Sequence, residues 1–348
     1  MPEELKLPEG FAGRMVEWQR RQGRQHLPWQ HTRDPYRVWL SEIMLQQTQV
    51  STVLDYYPRF LARFPDVAAL AMAPQDEVLG LWSGLGYYSR ARNLHRCAQA
   101  VVERFGGDFP KTAELLQTLP GIGRSTAAAI AAFCFDERVS ILDGNVKRVL
   151  TRVLGYGADL SVAASERELW ALAGQLLPAQ AVDMPAYTQS LMDLGATLCQ
   201  PRKAQCEACP VTPLCVARSQ GQALAYPVKT RKLKRSSATL WLLWAVNPQG
   251  QVWLQKRASR GIWAGLFSLP VFDDEASLLA ACAQGQSTQY IEPWKHVLTH
   301  RDLHLHPVRV QVAAQHPPQC EGQWVDAQDW PQLGLPAPIR LLLQGQRG

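Results

Sequence analysis

No run of 18 or more apolar residues interrupts this chain, so a membrane-spanning helix is not expected, and the longest apolar stretch, Ala238 to Val246, suits a buried strand. A secretory leader is not expected either, because Met1-Pro-Glu-Glu-Leu-Lys-Leu-Pro8 carries acids and prolines where a leader needs a basic start and an apolar core. A cytoplasmic protein is expected. Strong charge of one sign is absent as well. Lysine plus arginine (36) exceed aspartate plus glutamate (30) by 6, which permits a nucleic-acid partner without requiring one. No fixed-period repeat is visible. What remains is an ordinary globular composition, 47% hydrophobic and 19% charged, whose 348 residues allow about two domains of roughly 150 residues each.

The two halves differ in periodicity. Residues 11 to about 198 are helical in pattern, with one apolar stripe at Tyr36, Trp39, Leu40, Ile43 and Met44 and another at Val146, Val149, Leu150 and Val153. The expected first domain, residues 1–216, is all-helical and ends in a cysteine cluster. Residues 217–236 read as a linker, and Lys229-Thr-Arg-Lys-Leu-Lys-Arg235 puts five positive charges in seven residues, expected to be solvated. Residues 237–348 read as a smaller α+β domain, with strands over Thr239–Val246, Val252–Lys256 and Val308–Val312 and a helix around Glu275–Ala283.

Four features carry chemistry. Leu119-Pro-Gly-Ile-Gly123 before Arg124-Ser-Thr-Ala-Ala-Ala-Ile130 is a glycine hairpin opening a helix. Gly121 and Gly123 let the backbone approach a phosphate, although alone the motif is equally a plain turn. Asp143, just before the helix begun by Val146, is expected to be an N-cap and so to be pinned and held ionised at the positive helix end. Glu42 shares a helix face with Val38 and Leu45. Partial burial there would raise its pKa and suit a general acid, whereas a boundary ion pair is the plainer alternative. Cys199, Cys206, Cys209 and Cys215 are separated by six, two and five residues, while the other four cysteines are scattered. In a reducing compartment this reads as a metal site; with only one C-x-x-C knuckle, an iron–sulfur cluster held by all four thiolates is favoured over zinc.

Taken together, Leu119-Pro-Gly-Ile-Gly123, Leu142-Asp-Gly-Asn145 and the cysteine series resemble the helix-hairpin-helix DNA glycosylases of the endonuclease III superfamily. Leu27-Pro-Trp-Gln30, Trp39-Leu-Ser-Glu-Ile-Met-Leu-Gln-Gln-Thr48 and Gly84-Leu-Gly-Tyr-Tyr-Ser89 narrow the resemblance to the MutY-type adenine glycosylases, along essentially the whole chain. The resemblance implies a monomer that binds duplex DNA with adenine mispaired with 8-oxoguanine or guanine, and that carries a [4Fe–4S] cluster on the four cysteines. It implies that Glu42 protonates adenine, that Asp143 stabilises or captures the sugar cation, and that Asn145 orders the site. It further implies that Leu27, Trp29 and Gln189 line the adenine pocket and that Gln47, Thr48 and Tyr87 wedge into the duplex. Bifunctional members carry a lysine where this chain has Ser125, so a monofunctional enzyme is expected.

The second domain resembles the MutT-like (Nudix) fold through Gln255-Lys-Arg257 and Gly261-Ile-Trp-Ala-Gly-Leu-Phe-Ser-Leu-Pro270. It lacks the glutamate cluster that would hold magnesium, which argues against a nucleotide pyrophosphohydrolase. The lesion-reading loop, Phe-Ser-His in the family, is Leu298-Thr299-His300 here, so Thr299 and His300 are the expected 8-oxoguanine contacts. A metal site at His296, His300, His304 and His306 is not expected, because no carboxylate or cysteine pattern surrounds them. Two further alternatives are a bifunctional lyase, opposed by Ser125, and a non-catalytic iron–sulfur DNA sensor, opposed by the pair Glu42 and Asp143.

Overall fold

The computed structural model describes residues 7–231, 234–282, 287–313 and 316–345. The first six residues of the amino-terminal segment, Lys232 and Leu233 of the basic run, and Ala283 at the end of the expected helix lie outside these ranges. Among the described residues no helix is long and apolar enough to cross a membrane.

The first part of the chain is helical: α1 (Phe11–Gln22), α2 (Pro35–Leu45), α3 (Val50–Arg63), α4 (Val67–Met72), α5 (Gln75–Leu81), α6 (Ser89–Phe105), α7 (Ala113–Leu116), α8 (Arg124–Phe135), α9 (Gly144–Leu154), α10 (Ala163–Gln175), α11 (Met184–Thr197) and α12 (Val216–Ser219). Local chemistry sets their ends. Asp34 caps α2 by accepting the Tyr36 N–H at 2.9 Å, and Pro35 takes the first helical position, where no N–H is needed. All five residues of the expected α2 stripe are buried, as are Val146, Val149, Leu150 and Val153 of α9. Helix α9 ends at Gly155, whose φ of 64° is left-handed and whose would-be Cβ lies 2.4 Å from Val216 Cγ1. A side chain is excluded there on both counts. Helices α1, α8, α9, α10 and α11 share one core.

The remainder builds a mixed sheet from β1 (Ser236–Val246), β2 (Val252–Lys256), β3 (Phe267–Ser268), β4 (Val271–Phe272), β5 (Thr288–Tyr290), β6 (Trp294–Val297), β7 (Arg301–Gln311) and β8 (Gln323–Val325), with helices α13 (Glu275–Ala280) and α14 (Ala337–Leu343). Strands β1 and β7 run parallel in register from Ser236↔Arg301 to Val246↔Gln311. Leu278 of α13 packs with Leu243, Ala245, Val308 and Val310 on one sheet face, and Ile339 and Leu342 of α14 pack with Leu240, Leu242, Leu303 and Leu305 on the other. Strand β7 starts seven residues before the expected Val308. Pro307 hides the continuity: it falls where the outer partner changes from β6, paired at 302–305, to β5, paired at 308–310, and there its carbonyl still accepts the Ile291 N–H at 3.0 Å, so only the reciprocal bond is lost.

Two compact units emerge, and neither is a single stretch of chain. One comprises residues 1–57, 66–68 and 96–232; the other comprises 58–65, 69–95 and 233–348. Within the second unit, Tyr88 Oη donates to the Leu335 carbonyl at 2.7 Å, Arg92 donates to the Ala264 carbonyl at 2.6 Å, and Lys256 pairs with Asp76 at 2.7 Å. A Cβ at Gly80 would sit 2.0 Å from the Gln332 carbonyl oxygen, so only glycine allows this approach. The linker segment is not simply solvated. The Val228 carbonyl accepts from Leu160 N–H at 3.0 Å, Thr230 bonds the Asp159 carboxylate, and Arg231 N–H donates to Ser161 Oγ at 3.2 Å. These bonds tie the linker to the first unit.

Candidate active site

A cleft of about 860 Å³ opens in the first unit. Leu27 and Trp29 enter it from the turn before α2, Ser41, Glu42 and Leu45 from α2, Ser125 from the start of α8, Asp143 and Asn145 from the start of α9, and Gln189 from α11. Thr48 also reaches it. Two residues expected to touch DNA, Gln47 and Tyr87, do not line the cleft but share a different property. Both are exposed and hold left-handed backbone, with φ of 55° and 48°. For residues other than glycine that conformation is uncommon and costs energy, and such strain gathers at functional positions.

Glu42 keeps part of its surface accessible in the cleft, yet protein encloses its carboxyl. Burial first, and the charge of Asp143 second, push that carboxyl up to about 8. Asp143 caps α9, its Oδ1 accepting Val146 N–H at 2.7 Å. The cap expected from the sequence is present, but it is not the largest influence on the group. Burial raises its carboxyl above the usual range, against the lowering effects of the Val146 and Asn145 N–H groups and of Arg148 and Lys147. The Asp143 charge thus helps to keep the proton on Glu42. The cleft therefore brings together two carboxyl groups, one of which keeps its proton toward neutrality.

The neighbours of this pair are fixed by polar contacts. Ser125 Oγ accepts Leu142 N–H at 3.1 Å, so the hydroxyl anchors the segment that delivers Asp143. Asn145 Oδ1 accepts from Arg148 Nη2 at 2.9 Å, and the same buried guanidinium donates to the carbonyls of Gly195 (2.7 Å) and Cys199 (2.8 Å). Four residues on, Arg152 is also buried and donates to Cys199 Sγ at 3.3 Å and the Gln200 carbonyl at 2.9 Å. Helix α9 thus carries the carboxylate at its start and grips the cysteine loop with its arginines. Sequence reasoning missed both arginines, and it missed Asp193. Fully buried on α11, Asp193 accepts from Arg24 N–H (2.9 Å), from Arg24 Nε (2.7 Å) and from Gln189 Nε2 (2.9 Å), which orients Gln189 in the cleft.

Cys199, Cys206, Cys209 and Cys215 together line one small apolar hollow. Among the described residues no three histidines, cysteines or carboxylates are grouped to hold a single metal ion. The donor set fits a larger thiolate-bound group: four thiols around an apolar hollow, with the Arg152 guanidinium offsetting thiolate charge. The histidines of the second unit form no cluster. His304 pairs with Lys295 across β6–β7, whereas His296 pairs with Leu303 and so points to the opposite sheet face. Gly121 takes φ of 78° in the hairpin before α8, and Gly123 is the residue preceding that helix. Thr299 and His300 are exposed at the tip joining β6 and β7 in the second unit.

Comparison with known proteins agrees with this geometry. Residues 40–175 match the HhH-GPD superfamily base excision DNA repair proteins and residues 241–345 match the NUDIX domain. An adenine DNA glycosylase of Buchnera aphidicola (subsp. Schizaphis graminum) is 34% identical over 342 residues, covering 96% of this chain and 98% of that protein. The adenine DNA glycosylase of Homo sapiens is 46% identical over 220 residues, 60% of this chain and 40% of the human one. Among solved structures, a thermostable thymine-DNA glycosylase matches with TM-score 0.54 and 28% identity, covering 60% of this chain and 95% of that one. Endonuclease III in a non-covalent DNA complex shares the fold, with TM-score 0.51 and 19% identity over 60% of this chain and 94% of that one. With two carboxyls on one cleft, a helix-hairpin-helix body and relatives matched from end to end, the chain belongs to the adenine DNA glycosylase family, hydrolases of base excision repair.

Proposed function

We propose that this chain removes adenine mispaired with 8-oxoguanine or guanine in duplex DNA, leaving an abasic site. The observation that carries the reading is the pair Glu42 and Asp143 on one cleft, with Glu42 protonated near neutrality. Adenine must leave the base stack before any side chain reaches its ring nitrogens. In this reading the flipped base enters between Leu27, Trp29 and Gln189, and Glu42 donates a proton to a ring nitrogen, turning a poor leaving group into a neutral one. Asp143, ionised, faces the sugar cation as the glycosidic bond breaks; paired carboxylates divide the work in the same way in glycoside hydrolysis. Asn145, its oxygen taken by Arg148, keeps its NH2 as a donor on the cleft. Ser125 has no amine with which to form a Schiff base, so the strand is left uncut.

Around this centre, Gly121 and Gly123 hold a phosphate, Gln47, Thr48 and Tyr87 press on the duplex, and Thr299 and His300 read the lesion. Cys199, Cys206, Cys209 and Cys215 would hold a [4Fe–4S] cluster, which supplies a structural anchor for the loop when bound. The test is single-turnover base release from duplexes with adenine opposite 8-oxoguanine, G, C and T, revealed by hot alkali. Glu42→Gln and Asp143→Asn are each expected to slow release by at least about 10²-fold with duplex binding kept. A rate within threefold of the unmodified enzyme for either variant refutes the role of that residue.

A further inference from the structure

We propose that Arg235 is a positioning residue that holds the tip at Thr299 and His300 in reading geometry, rather than a contact to DNA phosphate. This rests on the reading above, in which those two residues recognise the lesion. Thr299 and His300 form a two-residue connection: Val297↔Asp302 is the last β6–β7 pair, and Leu298 N–H donates to the Arg301 carbonyl at 2.8 Å. Two-residue hairpins usually hold themselves in turns that need left-handed backbone at one or both central positions. Neither Thr299 nor His300 is among the residues with positive φ, and both are exposed. Turn geometry and packing therefore contribute little to fixing the tip.

The missing restraint comes from the start of β1. Arg235 Nη2 donates to the Leu298 carbonyl at 3.0 Å and Nη1 to the Thr299 carbonyl at 3.1 Å, while Ser236 N–H donates to the His300 carbonyl at 3.0 Å. Three consecutive tip carbonyls are thus held by two adjacent residues. The Arg235 guanidinium also pairs with the Asp302 carboxylate, which closes the hairpin on its other strand and cancels the charge a phosphate contact would use. The Thr299 hydroxyl in turn lies 2.6 Å from Tyr87 Oη, inside the same compact unit. The bonds need a planar fork with several donors at fixed angles. A lysine supplies one point charge on a flexible stem and cannot reproduce them.

That difference gives the experiment, run on the full-length, cluster-loaded enzyme. Single-turnover rates on A:8-oxoguanine and A:G duplexes, and the salt dependence of duplex binding, are measured for Arg235→Lys, Arg235→Gln, Asp302→Asn and a Thr299→Ala, His300→Ala double variant. The expected result is a roughly tenfold fall in the A:8-oxoguanine to A:G rate ratio for both Arg235 variants, the size of one or two lost hydrogen bonds, with the A:G rate within twofold and the salt slope unchanged. Asp302→Asn, which keeps the carbonyl bonds, is expected to lower the ratio by a smaller factor, and it carries the test if the Arg235 variants fold poorly. The proposal is overturned if Arg235→Lys behaves as the unmodified enzyme while Arg235→Gln flattens the salt slope by about one, the mark of a phosphate contact. It is overturned equally if Asp302→Asn tightens binding with the ratio intact. If the double variant keeps the full ratio, the lesion-reading role of the tip is itself wrong, and the Arg235 proposal falls with it.

Discussion

Glu42→Gln separates what the acid does for chemistry from what it costs the fold. In the unfolded chain the carboxyl titrates at its ordinary value of 4.5, and in the folded protein at about 8. The folded value is the higher one, so the contribution of Glu42 to stability is fully present below 4.5 and is lost progressively as pH rises toward 8. Folding at pH 7 requires the carboxyl to take up a proton, at about 1.4 kcal/mol per pH step above 4.5, a cost on the order of 3 kcal/mol. Glutamine has the same shape and no proton to acquire. The variant should therefore be inactive yet melt higher, by roughly 5–10 °C near pH 8 and by little near pH 5. Because the Asp143 charge is the second cause of the shift, the gain should shrink in an Asp143→Asn background. Thermal unfolding of the cluster-loaded single and double variants at pH 5 and pH 8 measures all of this. An equal gain at both pH values would mean that packing, not protonation, is responsible; no gain at pH 8 would refute a proton held on Glu42.

Two further outcomes bear on the site. Ser125→Lys should form a borohydride-trappable adduct with abasic DNA, since an amine there can attack the sugar; a variant that binds abasic DNA without any adduct would show that position 125 does not face the sugar. The purified protein should be straw-brown, with iron and sulfide in about equal amounts, and stoichiometric zinc in a colourless anaerobic preparation would overturn the cluster assignment.

The parts of the fold and site that the sequence made legible are those written in local order. The α2 stripe, the Asp143 cap and the four cysteines each lie within a few turns of chain, so periodicity and spacing disclose them. The Arg24–Asp193–Gln189 network joins residues 169 positions apart, and nothing local in Arg24 marks it as the partner of a buried carboxylate. Arg148 and Arg152 resemble any basic helix face, because most of their acceptors lie some 50 residues away, at Gly195, Cys199 and Gln200. Strands β5, β6 and β8 are three or four residues long, too short to show alternation, and are fixed by their pairing with β7 and β2. Arg235 misled most: within a run of five cations it reads as solvated, and its three acceptors all lie beyond residue 297.

The interleaving of the two units has a bearing on how this protein can be cut or recombined. A boundary drawn at the linker is tidy in sequence, but it does not release a finished body. Ser83 and Tyr88 would lose the Leu335 carbonyl that both of them bond, Asp76 would lose Lys256, and Arg92 would lose the Ala264 carbonyl. The Gly80 backbone, bare so that Gln332 can sit against it, would face water. A carboxy-terminal graft from a relative would meet the reverse problem, because its own counterpart of residues 69–95 would stay behind in the donor. The division between the units is folded into the helical half, so the exchangeable cassette is residues 58–65 and 69–95 together with everything from 233 onward.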